Sequence, residues 1–561
     1  MAIPGARDDQ MFPTLDPHQI ETARRFASNP PRRFEAGEVV FAIGDRTAPA
    51  WLVLEGSLDV FRHNGLAGEV AVTTHHVGQL SGEVSQLSGR PSLAGARAGA
   101  DGCTAFAFDS AHLRALIVGS ADVGEIIMRA FILRRVNLIS EGGAGSVLIG
   151  IPGTPPLNRL QGFLTRSGYP HIFLDATSDA EGRALIERLG ILPSDLPLMV
   201  CPAGTVLKHP TDREAACCLG MTPKLDPNEI YDAAIIGAGP AGLAAAVYAA
   251  SEGLRVIVLD ERSVGGQAGA SMRIENYLGF PTGISGQALA SRAFNQALKF
   301  GAEIALPLEV SSLAPLESGT PTLTLSGGER IKARTVVVAS GARYRRPDIP
   351  GIAAFEGAGV SYWASPIEAK LCAGEEIALV GGGNSAGQAV AFLAPHVRRL
   401  HLIVRRRLEE TMSQYLIERI AALPNVELHV GSEIISLEGD AQGGLSSTII
   451  RNRSTGLETT KALRHVFLFI GADPNTDWIR PYVTTDDKGF IVTGGPFQGG
   501  DIAAGRPALP LETSVPNVFA IGDVRSGSTK RVAAAVGEGA AVVAQIHLAL
   551  REMSDRAAAA V

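Results

Sequence analysis

The chain has 561 residues, enough for about three or four domains. Charged residues make up 19% and hydrophobic residues 46%, with 64 glycines, which is typical of soluble α/β proteins and excludes a disordered chain. The net charge of −7, without a long basic run, argues against nucleic acid and anionic membranes as partners.

The N-terminal segment MAIPGARDDQMF carries an acidic pair and no apolar stretch, so we expect no secretory signal. The cysteines contain no Cys-x-x-Cys motif and no evident paired framework. This pattern predicts a reducing cytoplasm and argues against a zinc site built on thiolates. We predict no bound metal. The cysteines are Cys103, Cys201, Cys217, Cys218 and Cys372.

Residues 1–140 contain short alternating strands separated by glycines, for example 38–45 and 50–65, and end in a helical pattern over 121–140. Such spacing predicts a small antiparallel barrel or jelly roll. The glycine-rich SEGGAGS at 140–146 predicts a linker to the next domain.

Residues 146–222 follow a βαβαββα pattern, and KLDPNE at 224–229 links them to the remainder. From about 230 to 552 a strand, a glycine loop and a helix occur twice, which predicts doubly wound parallel sheets. The uncharged run 233–250 is long enough to suggest a membrane span. Its Gly-x-Gly-x-x-Gly break favours a buried strand, loop and helix instead.

The first glycine loop, GAGPAG, lies between a strand and a helix. Gly237 permits the tight turn, Gly239 lets backbone amides approach a pyrophosphate, and Gly242 lets helix and strand pack closely. The next strand ends at Asp260 and Glu261, where an acid can bind both ribose hydroxyls. The segment therefore predicts a dinucleotide site that accepts an unphosphorylated ribose.

The second glycine loop, GGGNSA, has Gly381 and Gly383 in the same roles. Its second strand ends in Arg405 and Arg406, followed by Arg407, where the first loop has acids. Guanidinium groups bind a ribose 2′-phosphate bidentately, so this site predicts NADPH rather than NADH. Two dinucleotide sites in one chain indicate hydride transfer from a nicotinamide to a flavin.

From about residue 230 to 550 the chain resembles the thioredoxin reductase family of low-molecular-weight flavoproteins. The motifs occur in the family's order: GAGPAG (237–242), GGQA (265–268), IENYLGFP (274–281), VVVASGA (336–342), GVSY (359–362), GGGNSA (381–386), the arginines at 405 and 406, IGADPNT (470–476), FAIGDV (519–524) and KRVAAAVGEGAAVV (530–543).

The resemblance implies an FAD domain in two pieces, 229–345 and 476–552, with an NADPH domain, 346–475, inserted between them. It also implies a homodimer in which the NADPH domain swings between two orientations. Beyond the residues already named, it assigns FAD contacts to Pro240, Ala241, Gly265, Gly266, Gln267, Asn276, Ser340, Gly341, Gly522, Asp523, Arg531 and Val532, and NADPH contacts to Asn384 and Ser385.

The resemblance fails at one functional place. The family's redox cysteine pair follows the GVSY-like segment, and the matching positions here are Trp363 and Pro366. Neither side chain can form a disulfide or accept electrons. Val404 and Glu410 also depart from the family pattern, where a histidine and an arginine are usual.

The two front segments resemble other known domains. Residues 146–222 resemble a thioredoxin-like fold, with Pro197 as its cis-proline, but PGTPP at 152–156 lacks the redox cysteines. Residues 20–140 resemble a cyclic-nucleotide-binding domain. In that family a Gly-Glu pair, here Gly82 and Glu83, contacts the ribose. At the place of the phosphate-binding arginine stands Ser92, with Arg90 and Arg97 nearby.

The sequence as a whole predicts a cytoplasmic, NADPH-dependent FAD oxidoreductase whose electrons leave the reduced flavin for a one-electron carrier, a quinone or oxygen. As a hypothesis, Trp363 packs near the flavin and gates access to it. Two alternatives remain open: a disulfide reductase that uses Cys372, and a nucleotide-responsive flavin sensor with little turnover. For Cys372, the residues favour an inert core thiol over a redox role.

Overall fold

The computed structural model describes residues 6–559, except 47, 64–68, 83–85, 88–90, 141–145, 203, 224, 272, 315–319, 365, 441–443 and 496–505. Glu83, Arg90 and most of the predicted linker at 140–146 therefore lie outside the described residues.

The first domain is an antiparallel β structure closed by helices, as predicted. Its sheet pairs strands in the order β1-β5-β3-β4, and β2 also pairs with β5. The elements are α1 (Ala6–Met11), α2 (Pro17–Arg24), β1 (Arg32–Phe34), β2 (Val39–Phe41), β3 (Ala50–His63), β4 (Glu69–His75), β5 (Gly95–Phe108), α3 (Ser110–Gly119) and α4 (Ala121–Ser140).

The second domain has the predicted βαβαββα order. Strand β6 pairs in parallel with β7 and antiparallel with β8, which continues into a hairpin with β9. The Leu196–Pro197 peptide is cis, as expected for Pro197. The elements are β6 (Ser146–Gly150), α5 (Pro155–Arg166), β7 (His171–Asp175), α6 (Ala180–Arg188), β8 (Leu198–Val200), β9 (Val206–Lys208) and α7 (Asp212–Cys218).

One expectation about this domain is wrong. A disulfide joins Cys201 and Cys218, although the sequence suggested no cysteine pair. The hairpin β8–β9 reverses the chain, so the residue that follows β8 meets the last turn of α7. The spacing of 17 residues contains no motif that would signal this contact. Cys103, Cys217 and Cys372 are free.

The third domain begins with a mostly parallel sheet in the order β12-β11-β10-β15, extended by an antiparallel meander through β14 and β13. The elements are β10 (Ile230–Ile236), α8 (Pro240–Ser251), β11 (Val256–Leu259), α9 (Gly266–Gly269), α10 (Gly286–Lys299), β12 (Glu303–Ala305), β13 (Val310–Ala314), β14 (Thr322–Leu325), β15 (Arg330–Val338) and β16 (Ala342–Tyr344).

The inserted domain has a parallel sheet in the order β17-β24-β18-β19-β20 and a separate antiparallel meander β21-β22-β23. Strands β16 and β25 pair antiparallel where the chain enters and leaves it. The elements are β17 (Val360–Ser361), α11 (Pro366–Leu371), β18 (Glu376–Val380), α12 (Asn384–Leu393), β19 (Arg399–Val404), α13 (Gln414–Ala421), β20 (Val426–Val430), β21 (Ser432–Gly439), β22 (Leu445–Asn452), β23 (Glu458–Lys461), β24 (His465–Leu468) and β25 (Ala472–Pro474).

The chain then returns to the third domain. Strand β26 (Val518–Ala520) adds to β15 in parallel, and α14 (Val532–Ala559) packs along α8. This return joins residues far apart in sequence into one doubly wound fold, which confirms the predicted fold class. The run 233–250 forms β10, the glycine loop and α8, as predicted, with Ala233, Ala245 and Ala249 fully buried.

By length and apolar composition alone, the segment Val532–Arg556 of α14 could cross a membrane. Core helices of soluble proteins meet the same criteria. The helix lies against α8, and Val542, Ile546 and Ala549 belong to the hydrophobic core shared with that helix.

The first and third domains share one continuous core. Leu113 and Leu116 of α3 belong to the same buried cluster as Phe294 and Leu298 of α10. Since buried apolar area is the main stabilising term of a fold, this continuity indicates that the two domains form one cooperative body.

We predict opposite effects of two glycine substitutions in α14. A Cβ on Gly539 would lie 2.7 Å from Ala244 Cβ and crowd the Ala241 carbonyl, whereas a Cβ on Gly537 meets no atom within 4 Å. Gly537→Ala should therefore stabilise the helix by about 1 kcal/mol. Gly539→Ala should destabilise the protein by about 1–3 kcal/mol because it forces α14 away from α8.

The measurement is urea unfolding of both variants, followed by circular dichroism. Equal midpoints for Gly539→Ala and Gly537→Ala would contradict the close packing of α14 on α8.

Candidate functional site

The first glycine loop requires glycine where the sequence predicted it. Gly237 has φ +113°, and a Cβ there would clash with the Ala339 carbonyl at the end of β15. A Cβ on Gly242 would clash with the Gly237 carbonyl. These two contacts hold α8 directly against the loop and leave no space for a side chain.

The space beside Gly239 suits a pyrophosphate. Gly239 is the N-cap of α8, and no side chain caps the helix there. Among the described atoms, the nearest to a Cβ at this position is Gly266 Cα, at 3.9 Å. The first amides of α8 thus remain available to an anion, which the positive end of the helix dipole favours.

The two acids after β11 divide their roles. Asp260 accepts bonds from the amides of Ala238, Arg262 and Ser263 at 2.8, 2.8 and 3.1 Å. Burial raises the pKa of Asp260, and these amides lower it. Asp260 therefore braces the glycine loop. The adjacent Glu261 is exposed and pairs with Arg262 at 2.9 Å, so it is the better placed acid for a ribose.

The GGQA segment packs on the glycine loop. The Gly265 amide donates to the Ala238 carbonyl at 2.7 Å, and a Cβ on Gly266 would lie 3.1 Å from Gly239 Cα. The Gln267 side chain donates to the Ala342 carbonyl of β16. Asn276, also assigned to the flavin, is exposed on the following loop.

The second piece of the third domain meets the first at Gly522. A Cβ there would lie 2.8 Å from Ala241 Cβ, and the Gly522 amide donates to Glu538 at 2.6 Å. Burial raises the pKa of neighbouring Asp523, and Lys530 lowers it.

The remaining predicted contacts lie at the edges of this region. Val532 begins α14 and Arg531 directly precedes it, while Ser340 donates to the Asn475 carbonyl at 2.8 Å beside Gly341.

The second glycine loop has a similar form in the inserted domain. Gly381 has φ +147°, and a Cβ there would clash with the Phe469 carbonyl. Gly383 is the N-cap of α12 without a side-chain cap, and no described atom lies within 4 Å of a Cβ at this position. Asn384 accepts from the Ser413 amide at 2.7 Å, and Ser385 follows it in α12. The loop therefore fits a second dinucleotide.

The arginines stand where β19 ends, as predicted. Arg405 and Arg406 are exposed beyond Val404. The Glu410 carboxylate lies 3.8 Å from the Arg406 guanidinium. Glu410 stands where the sequence analysis expected an arginine of the family, so a negative charge lies beside one of the two arginines. Both arginines remain accessible to a 2′-phosphate.

Trp363, at the position where the sequence analysis expected the first cysteine of the family's redox pair, lies on the loop after β17. Its side chain is 41% exposed, and its indole N–H donates to Glu368 of α11 at 2.9 Å. Cys372, by contrast, is fully buried in the core of the inserted domain. Burial raises the pKa of its thiol to about 11. A buried thiol of this kind is unreactive, which favours the core role over the redox alternative.

The described part of the cyclic-nucleotide site contains no phosphate fork. The Gly82 carbonyl accepts from the buried Arg134 of α4 at 2.7 Å. Ser92 is 4% exposed and donates to the Ala94 carbonyl at 2.6 Å. Arg97 forms an ion pair with Glu69, which competes with a phosphate for its guanidinium group.

The second domain has its disulfide at the end of the sheet away from the cis-proline. Pro197 lies beside Gly150, the last residue of β6, because a Cβ on Gly150 would lie 3.2 Å from Pro197 Cβ. Cys201 follows Val200, which pairs with Val147 at the start of β6. The disulfide is therefore separate from the position at which a thioredoxin-like fold would carry its redox cysteines.

We predict that the two acids after β11 separate stability from affinity. Asp260→Asn should lower the free energy of unfolding by about 1–3 kcal/mol. The asparagine side chain replaces one acceptor oxygen with an NH2 group, which cannot accept a hydrogen bond from a backbone amide. Glu261→Gln should leave the unfolding midpoint unchanged and weaken FAD binding by about tenfold or more. Thermal unfolding and titration of the flavin-free protein with FAD measure the two effects, and equal effects on both would contradict this division.

Comparisons with known proteins agree with this geometry. Residues 231–539 match the pyridine nucleotide-disulphide oxidoreductase family, and residues 31–119 match the cyclic nucleotide-binding domain. The chain is 33% identical over 312 residues to the thioredoxin reductase of Mycolicibacterium smegmatis, an alignment that covers 56% of this chain and 94% of that protein.

Longer relatives match only in part. An alkyl hydroperoxide reductase component from Pseudomonas putida is 33% identical over 321 residues, which is 56% of this chain and 58% of that protein. The chain also spans 58% of NADPH-dependent thioredoxin reductase 3 of Arabidopsis thaliana, at 32% identity and with 57% of this chain covered.

Two solved structures share the fold. The Lactococcus lactis thioredoxin reductase in its FR conformation has a TM-score of 0.52 at 27% identity, and the alignment covers 57% of this chain and 99% of that one. The T. acidophilum thioredoxin reductase has a TM-score of 0.51 at 28% identity, covering 58% and 99%. With the family match extending over more than half of its length, this chain belongs to the pyridine nucleotide-disulphide oxidoreductases and has the thioredoxin reductase architecture, whose cofactors are FAD and NADPH.

Proposed function

We propose that the protein is an NADPH-dependent FAD oxidoreductase that passes electrons from the reduced flavin to a non-disulfide acceptor. The observation that carries this proposal is Trp363 at the first cysteine position of the family, half-exposed and hydrogen-bonded to Glu368. A one-electron carrier, a quinone or oxygen would each serve as acceptor.

The residues fit both cofactors. When bound, FAD and NADPH supply hydride transfer between nicotinamide and flavin. The first amides of α8 would hold the FAD pyrophosphate, Glu261 its ribose, and the Gly522 segment the part nearer the flavin. The amides of α12 would hold the NADPH pyrophosphate, with Arg405 and Arg406 on its 2′-phosphate.

Trp363 would gate the flavin in this scheme. Its loop belongs to the inserted domain, and β16 and β25 form the two crossings between the domains. Arg419 of α13 pairs with Glu275 of the IENY segment at 2.8 Å, an ion pair between the domains that a domain rotation would break. The aromatic side chain of Trp363 would then limit the access of an electron acceptor to the flavin. Unlike a thiol pair, it would not accept electrons itself.

A second candidate acceptor is the disulfide within the chain itself. Cys201 and Cys218 are joined, and the exposed Cys217 lies next to them. An exposed thiol beside a disulfide can exchange with it. Two observations weigh against this route: Cys201 is 3% exposed in the domain core, and the pair lies away from the cis-proline.

We predict that anaerobic titration with NADPH delivers about two electrons per FAD, because the flavin alone accepts them. The double variant Cys201→Ser/Cys218→Ser should give the same count, as should the control Cys372→Ser. Free thiols quantified before and after reduction provide an independent measure. About four electrons in the parent protein, falling to about two in the double variant, would establish the disulfide route and overturn the primary proposal.

The same titration also tests the sensor alternative. A flavin sensor with little turnover would be reduced slowly and would not be reoxidised by added quinone or a one-electron carrier. Rapid reduction and rapid reoxidation would support an enzyme.

The coenzyme preference should depend on the arginines after β19. Arg405→Ala/Arg406→Ala removes the charge-assisted bonds to the 2′-phosphate, each worth about 1.5–3 kcal/mol. We predict that the concentration of NADPH giving half-maximal flavin reduction rises by about tenfold or more, while that for NADH hardly changes. Stopped-flow reduction measures both. Arg398→Ala, just before the opposite end of β19, is the control and should affect neither nucleotide.

The front domain, we propose, acts as a sensory or docking module, with a cyclic nucleotide as its candidate small-molecule ligand. Ser92 already donates to the Ala94 carbonyl, and Arg97 already pairs with Glu69. These contacts compete with a cyclic phosphate, so we expect it to bind weakly. By analogy with the thioredoxin reductases, we also propose a cytoplasmic homodimer that does not bind nucleic acid or a membrane.

A further inference from the structure

An unassigned cluster lies on one face of the inserted sheet. Strands β19 and β20 run parallel, with His401 opposite Glu427. His429 follows Glu427 by two residues. Since side chains alternate along a strand, all three point to the same face. His401 is fully buried, His429 is 20% exposed and Glu427 is 44% exposed, so the cluster opens to solvent on one side.

One donor atom from each of the three residues lies within 4.8 Å of the other two, close enough to share one metal ion. His401 Nδ1 lies 3.1 Å from His429 Nε2 and 3.3 Å from Glu427 Oε2. His429 Nε2 lies 3.4 Å from Glu427 Oε1. Ligands at about 2.0–2.1 Å from a tetrahedral Zn²⁺ are separated by about 3.3–3.4 Å. The separations in the cluster are close to this value, with Oε2 of Glu427 facing His401 and Oε1 facing His429.

The two tautomers of His401 differ in how its buried ring nitrogens are paired. If His401 carries its proton on Nδ1, its buried Nε2 has no hydrogen-bond partner among the described residues and faces the Glu376 carboxylate at 3.6 Å. If the proton is on Nε2, it points to Glu376, and the lone pair of Nδ1 can accept the Nε2–H of His429 at 3.1 Å.

In the tautomer with the proton on Nε2, a divalent cation can take the place of the His429 proton between the two rings. Nδ1 would then direct its lone pair to the ion, and Nε2–H would point to Glu376. Carboxylate partners on the far nitrogen of a histidine ligand are a recurrent feature of metal sites, because they fix the tautomer and orient the ring.

We propose that His401, His429 and Glu427 bind one divalent transition-metal ion of the zinc class, with the fourth coordination position open to solvent. Two imidazole nitrogens and one carboxylate select Zn²⁺, Co²⁺ or Ni²⁺ over Mg²⁺ or Ca²⁺, which prefer oxygen ligands alone. No sequence motif signals this site, because its ligands come from two different strands.

The site is separate from the predicted nucleotide site. His401 lies in the middle of β19, and Arg405 is four residues further on, about 13 Å along an extended strand. The ion would tie β20, the edge strand of the sheet, to its neighbour β19. Its presence is therefore independent of whether the protein oxidises NADPH.

The test uses the full-length, FAD-loaded protein after removal of metals with EDTA. We expect calorimetric titration with Zn²⁺ to give one site per chain. We also expect Co²⁺ to produce the visible absorption of tetrahedral coordination.

The variants His429→Gln and Glu427→Gln alter partly exposed residues, so the fold should survive, and each should weaken Zn²⁺ binding by about a hundredfold. His396→Gln, which changes an exposed histidine outside the cluster, is the matched control and should bind like the parent.

A stoichiometric site that is lost in both ligand variants and kept in the control would support the proposal. Zn²⁺ binding that is undetectable in the parent, or equally strong in His429→Gln, would overturn it. Flavin reduction by NADPH should be unchanged in all variants, so failure of this site and failure of the proposed function give different results.

Discussion

The structure depends on the close approach of backbones around the first glycine loop. Gly242 brings α8 against the loop, and Gly539 brings α14 against α8 with no space for a Cβ. Gly522, which follows β26, packs on Ala241 in the same place. Because these contacts join the two separated pieces of the third domain, the dinucleotide site and the chain return are stabilised by the same packing. The Asp260 carboxylate completes this arrangement by accepting a hydrogen bond from the Ala238 amide of the loop.

The front domains are built into this body. The core of the first domain continues into α10, and Leu93, just after Ser92, packs in the core of the second domain. Pro91 lies so close to Gly220 that no side chain would fit between them. A ligand that shifts residues 91–93 would therefore act on two domains at once. The shared packing offers a physical route by which ligand binding in the first domain could be coupled to the other two domains. Packed cores respond to such a shift by discrete rearrangement rather than by gradual deformation.

The inserted domain places a glycine loop that fits a dinucleotide near an exposed tryptophan and a buried thiol. Gly381 and Gly383 leave room for a ligand at the start of α12, Trp363 is partly exposed on the loop after β17, and Cys372 is fully buried in the domain core. Burial lowers the pKa of Arg166 in the second domain, and the Glu368 carboxylate, which accepts from Trp363, acts to raise it. The carboxylate that holds Trp363 thus also acts electrostatically on the second domain.

The sequence alone determined the features that depend on local chain geometry. Glycines at 237, 239 and 242, the acids after β11 and the arginines after β19 could be recognised because a strand, a tight turn and a helix dictate residue types at fixed spacing. Tertiary structure alone decided the rest. It directed Asp260 to the loop amides, joined Cys201 to Cys218, and placed His401 beside His429. Each of these depends on strand register or on a chain reversal, which brings together residues that no local pattern links.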